Sequence, residues 1–96
     1  MSDLNVFAFD SQVVRVLMVD GEPWFVAADV CAALTIGNTA MALERLDDDE
    51  KGVSSIDTPG GMQQMAIVNE PGLYTLILGS RKPEAKRFKR WVTHEV

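Results

Sequence analysis

Positive charge is scarce through most of this 96-residue chain. Before residue 81 there are three bases, Arg15, Arg45 and Lys51, against twelve acids. Cysteine and histidine are scarcer still, for Cys31 and His94 each stand alone. One cysteine closes no internal disulfide, and one Cys with one His supplies no plausible zinc set. No apolar run approaches the ~20 residues that a membrane span needs. The opening MSDLNVFAFD begins acidic and lacks a basic segment followed by an apolar one, so no secretory signal is expected. The expected location is the cytoplasm, without a membrane partner. Catalytic signatures are missing too. No nucleophile–base pair, purposeful carboxylate dyad or metal set emerges, so neither enzyme activity nor a cofactor is expected.

What the chain does have is ordinary for a globular protein: 47% hydrophobic and 24% charged residues, at a length that suits one domain. Residues 1–96 are therefore read as a single domain. In VFAFDSQVVRVLMVDGEPWFV, apolar residues alternate as in half-buried strands, with turn signals at Asp10-Ser11 and Asp20-Gly21. A small antiparallel meander ending near Phe25 is expected. The period then changes. Val26, Val30, Ala33 and Leu34 share one helical face, with Asp29 early, where a carboxylate suits the helix dipole, and Gly37 as the stop. Asn38 and Thr39 can cap a second helix through Leu46 that turns Met41, Ala42 and Leu46 inward. After the acidic DDDEK turn, residues 52–69 read as a hairpin around Pro59-Gly60-Gly61. Asn69 and Pro71 then open a helix ending at Gly79 with Leu73, Leu76 and Ile77 buried. Pro83 opens the last helix. Hairpins and helices without regular alternation predict an α+β fold: small antiparallel hairpins or a meander packed with about four short helices.

The missing positive charge is gathered at the end. Residues 81–96 hold six bases against two acids, within a net charge of −5. On a helix turning 100° per residue, Lys82, Lys86, Lys89 and Arg90 fall within an arc of roughly 100°. Ala85, Phe88, Trp91 and Val92 occupy the opposite side, and Arg87 lies at the border. Like charges at i and i+4 slightly destabilise a helix, so the stripe calls for acidic neighbours or an anionic ligand. Phosphates meet that need through counterion release.

Other candidates are weaker. Residues 26–46 have the outline of a helix-turn-helix, but its second helix offers Asn38, Thr39, Glu44 and Arg45, only one of them basic. Trp24 and Phe25, like Phe88 and Trp91, read as core anchors before base-stacking groups. Tyr74 is read with its ring packed and its hydroxyl at the surface. Cys31 among Val30, Ala32 and Ala33 reads as a small buried thiol, and His94 as a surface residue near a helix end. Asp47, Asp48, Asp49 and Glu50 lack the EF-hand spacing, and Gly60-Gly61 lacks the Lys-Ser/Thr of a phosphate loop.

Two blocks carry a resemblance: DGEPWFVAADVCAAL at 20–34 and NEPGLYTLILGSRKPEAKRFKRWVTHEV at 69–96. The DDDEK turn and hairpin of 47–68 fit between them. The chain resembles the BRO family N-terminal domain of phage and prophage antirepressor-like proteins and of large DNA viruses of insects. The resemblance implies nucleic-acid binding in replication or transcription, with DNA as the partner. The matching basic positions are Arg81, Lys82, Lys86, Lys89 and Arg90, which suit phosphate contact but equally suit salt bridges to the DDDE segment. The family pattern continues past the last helix with a Leu-Pro and further basic residues. The resemblance thus implies the N-terminal part of a longer protein. The rival reading is a protein-interaction module whose acidic body binds a repressor or other regulatory protein without touching DNA. A homodimer would strengthen a weak phosphate grip.

Overall fold

The computed structural model describes residues 3–9, 12–80 and 83–95. Three strands open the chain: β1 (Asp3–Phe9), β2 (Gln12–Val19) and β3 (Glu22–Val26). Helices α1 (Ala27–Ala33) and α2 (Thr39–Glu44) follow, then a 3-10 turn at Asp48–Glu50. The hairpin β4 (Lys51–Thr58) and β5 (Gly61–Asn69) leads to α3 (Glu70–Gly79) and α4 (Pro83–Glu95). The strands form one five-stranded antiparallel sheet in the order β1-β2-β3-β5-β4. The expected α+β class and meander are both present.

Turn chemistry sets the registers. Asp20 (φ 51°) and Gly21 (φ 80°) both have positive φ, the signature of a type I′ turn, whose twist suits a hairpin. The Asp10-Ser11 turn lies outside the described residues. Between β4 and β5 the loop is Pro59-Gly60, narrower than expected because Gly61 (φ 108°) already pairs with Thr58.

The ladder between β2 and β3 stops at Val16 opposite Phe25, where the chain turns into α1. Asp29 takes over there. Its carboxylate accepts the Arg15 backbone N–H at 3.0 Å and the guanidinium at 2.8 and 2.9 Å. The early acid of α1 thus fastens the helix to the sheet, beyond any interaction with the dipole. Val26 is the last residue of β3 and not part of the helix.

Two further expectations need correction. α1 does not stop at Gly37. Ile36 N–H donates to the Cys31 carbonyl and Thr35 N–H to that of Ala32, a Schellman arrangement with Thr35 at φ 59° in the usual glycine position. Ile36 packs against the main core and supplies the hydrophobic contact that accompanies this motif. In α2, Asn38 Oδ1 accepts from Met41 N–H as expected, but the helix ends at Glu44 and Met41 is 58% exposed. Ala42 and Leu46 define the buried direction, and Met41 sits about 100° away from Ala42 on the wheel.

All four helices contribute to one core against the sheet. Phe9, Val14, Val16, Phe25 and Val68 meet Val30, Leu34, Ala42, Leu73, Ile77, Phe88 and Val92. A smaller cluster of Leu17, Val26, Ile56 and Ile67 fills the opposite face, with Leu4, Trp24 and Met65 packed around it. Ile56 lies in the part of the hairpin beyond the β3 pairing, so the twisted hairpin curls over the helix-free face.

α3 begins as expected, with Asn69 Oδ1 accepting from Gly72 N–H. The Asn69 amide also donates to the Asp49 carbonyl at 3.0 Å, which clips the acidic turn to the start of α3. Gly72 permits the approach: a Cβ there would lie 2.7 Å from the Glu50 carbonyl oxygen. Alanine normally favours a helix over glycine by about 1 kcal/mol. Here the clash is with backbone, so Gly72→Ala is expected to lower stability by about 1–3 kcal/mol in urea unfolding. Asp29→Ala is expected to cost about 2–3 kcal/mol in the same measurement, because it strips hydrogen bonds from a partly buried guanidinium and N–H.

Candidate nucleic-acid interface

Helix α4 is built from two unlike faces. Ala85, Phe88 and Val92 are buried and Trp91 is half-buried. Their anchor is a ring cluster reaching from β1. The Phe9 centroid lies 5.0 Å from that of Phe88 and 5.7 Å from that of Trp91, and Phe7 meets Trp91 edge-on at 6.0 Å. With that side fixed, Lys86, Lys89 and Arg90 are exposed. Arg81 and Lys82, the other two expected site residues, lie outside the described residues. Arg87 turns to the border, its guanidinium carbon 5.8 Å from the Phe9 ring centroid, a cation–π distance.

The salt-bridge explanation of the stripe can be compared with the contacts present. Arg15–Asp29 is an ion pair of the body, and among the described residues no DDDE carboxylate reaches Lys86, Lys89 or Arg90. Part of the DDDE segment is engaged elsewhere. Glu50 Oε1 accepts from Asp47 N–H at 2.9 Å, and the turn packs on the start of α3 through Gly72 and Asn69. The bases of the body are used differently. Arg15 is held by Asp29, and Lys51 donates to the Leu43 carbonyl at 3.1 Å.

The family described as BRO family, N-terminal domain (Bro-N) matches residues 12–96, which include every expected basic position. The chain belongs to this family. It is also similar to an uncharacterized protein of Haemophilus influenzae, 42% identical over 95 residues. That match covers 96% of this chain and 47% of the relative, so the chain spans about half the relative's length. No solved structure matches. β1, which lends Phe7 and Phe9 to the anchoring of α4, precedes the segment matched by the Bro-N family.

The remaining expectations place less chemistry elsewhere in this Bro-N domain. In the helix-turn-helix outline, Asn38 is spent on its cap and α2 has six residues, which leaves Glu44 and Arg45 exposed. Arg45 stands at a groove of about 390 Å³ between the α1–α2 turn and the end of α3, lined also by Leu34, Ile36, Met41 and Leu76. Phe25 and Phe88 are core residues, and Trp24 packs half-buried on the small cluster. Trp91 packs half-buried against the main core, as expected of an anchor. With Arg87, Arg90 and His94 it lines a shallow hollow of about 300 Å³. The i, i+3, i+4, i+7 spacing of these four was legible in the sequence, since such residues share a helix strip. Tyr74 is half-buried, and its hydroxyl is pushed up by burial and then by Glu70. His94 is exposed. No helix among the described residues is long and apolar enough to cross a membrane. Those residues also contain no cluster of three or more potential metal-ligating His, Cys, Asp or Glu.

Cys31 is buried, and burial pushes its thiol up, opposed by a hydrogen bond from Thr39. Disulfide exchange requires the thiolate. Cys31 should therefore react with a disulfide reagent at pH 8 more slowly than an unperturbed thiol, and at the ordinary rate in denaturant.

Proposed function

We propose that this Bro-N domain is a DNA-binding regulatory module of a phage-type, antirepressor-like protein, without catalytic activity. It grips phosphates through Lys86, Lys89 and Arg90 on the outer face of α4, and the expected site also includes Arg81 and Lys82, which lie outside the described residues. One observation carries the reading. The acidic chain gathers its bases on one helix face, and no DDDE carboxylate reaches Lys86, Lys89 or Arg90 among the described residues. Such a face is a footprint for a polyanion. Phosphate contacts give affinity without sequence, so base-specific readout is not assigned to these residues.

A second reading has its own support. The groove beside Arg45, lined in part by Met41, which is 58% exposed, suits a protein segment, and the acidic body suits a basic partner. In that reading the domain binds a regulatory protein such as a repressor and leaves naked DNA alone.

Fluorescence anisotropy with random-sequence duplex across a salt series separates the two. With three to four phosphates neutralised, affinity should fall with a log–log slope of roughly −3 to −4. The variant Lys86→Glu/Lys89→Glu/Arg90→Glu should lose most binding while its unfolding midpoint changes little, because these side chains are exposed. Undiminished affinity in the triple variant would overturn the site. Absence of wild-type binding at low salt would favour the protein-partner reading.

A further inference from the structure

The sheet ends on one side at β4, an eight-residue strand whose strand neighbour is β5 alone. Its backbone N–H and C=O groups turned away from β5 have no hydrogen-bond partner among the described residues. An open edge of that length is a template for another strand. The sheet's other edge, β1, carries a single charge in its sequence, Asp3, and so brings no opposite charges to a pairing with itself.

The side chains of β4 divide by face. Lys51, Val53, Ser55 and Asp57 share the face on which the helices lie, for the cross-strand partners Val68 and Ala66 pack in the main core. The helices leave much of this edge uncovered. Val53 is 68% exposed, and Ser55 and Asp57 are exposed too. Along the strand this face reads base, apolar, hydroxyl, acid. An antiparallel copy centred on Ser54 sets Lys51 opposite the copy's Asp57 and Val53 opposite its Ser55, and symmetry repeats both pairs. The neighbouring twofold registers lose the charge pairs, because Asp57 then faces Val53 or the acidic turn before β4. Both charges are available. Lys51 gives one N–H to the Leu43 carbonyl, and an ammonium carries three. Asp57 has no basic partner among the described residues.

We propose that a second copy of this chain pairs with β4 along its open edge, antiparallel and centred on Ser54. Two five-stranded sheets then become one. The twofold axis of such a pair stands perpendicular to the sheet, so both helical layers lie on the same side. Cross-strand pairs of opposite charge stabilise the correct register, and like charges facing each other oppose slippage. The opposing strand also covers part of both exposed Val53 side chains. A single strand pairing is a small interface, so the association is weak and depends on concentration. It needs no anion, and it stands whether α4 or the groove at Arg45 is the functional surface.

Crosslinking tests the register. Ser54 meets its own symmetry mate across the axis, with Cα atoms about 4.5–5.5 Å apart, a separation that a disulfide spans. Under mild oxidation Ser54→Cys should give a covalent dimer. The native protein, whose cysteine is buried, and Val6→Cys on the β1 edge should stay uncrosslinked. Sedimentation equilibrium tests the charges. The wild-type mass should rise with concentration from 10.6 kDa toward twice that value. Asp57→Lys, a change at an exposed residue, should weaken association about tenfold or more, because both ends of the pair then set lysine against lysine. An equimolar mixture of Asp57→Lys with Lys51→Asp should associate again, since both charge pairs are restored between unlike copies. Ser54→Cys leaves Lys51 untouched, so the crosslink decides the matter even if Lys51→Asp folds poorly. A wild-type mass fixed at the monomer value, or crosslinking through Val6→Cys and not through Ser54→Cys, would overturn the proposal.

Discussion

Phe88 is fully buried, with the Phe9 ring 5.0 Å away and Trp91 beside both. The orientation of α4 depends on this ring contact. A helix with apolar groups on one side and cations on the other has no intrinsic address. Once Phe88, Ala85 and Val92 enter the core, the helical repeat leaves Lys86, Lys89 and Arg90 no direction but outward. The edge strand β1 supplies the other half of the contact through Phe7 and Phe9. The sheet's first strand and the chain's last helix therefore fix the exposed surface together.

The charge arrangement follows from that anchoring. Two body acids serve local structure: Asp29 replaces a missing strand neighbour for Arg15, and Glu50 closes the turn before β4. The turn in turn braces the start of α3 through Asn69 and Gly72. Acids committed to the fold in this way do not neutralise α4. Repulsion along Lys86 and Arg90, spaced i and i+4, remains as a small standing cost. Binding an anion would relieve it, which links the sequence's oddest feature to its proposed use.

Much of this was legible in the residues, for identifiable reasons. Local signals read well. Asp20-Gly21, Asn38, Asn69-Pro71 and the two-faced pattern of 83–95 act through near neighbours, and each marks the element it was expected to mark. Features that depend on distant partners did not read. Asp29 looked like a dipole residue because Arg15 is fourteen positions away. Gly37 looked like a stop because nothing local shows that Ile36 docks on the core and draws Thr35 into positive φ. Ile56 gave no hint of a second cluster, which exists only because the hairpin curls. In the candidate site, Lys86, Lys89 and Arg90 were legible as one stripe. The hollow at Trp91 was not read, although the spacing of Arg87, Arg90, Trp91 and His94 marks one helix strip, because the ring was weighed towards the core.

The central claim is that the outer face of α4 is the anion-binding surface of the domain. A residue-resolved NMR titration of the labelled protein with a short random duplex at low salt tests it most directly. The account predicts that the largest amide shifts fall on residues 86–94, with the β4–β5 hairpin unmoved. Shifts concentrated on Thr39–Arg45 and the end of α3, with α4 silent, would contradict it.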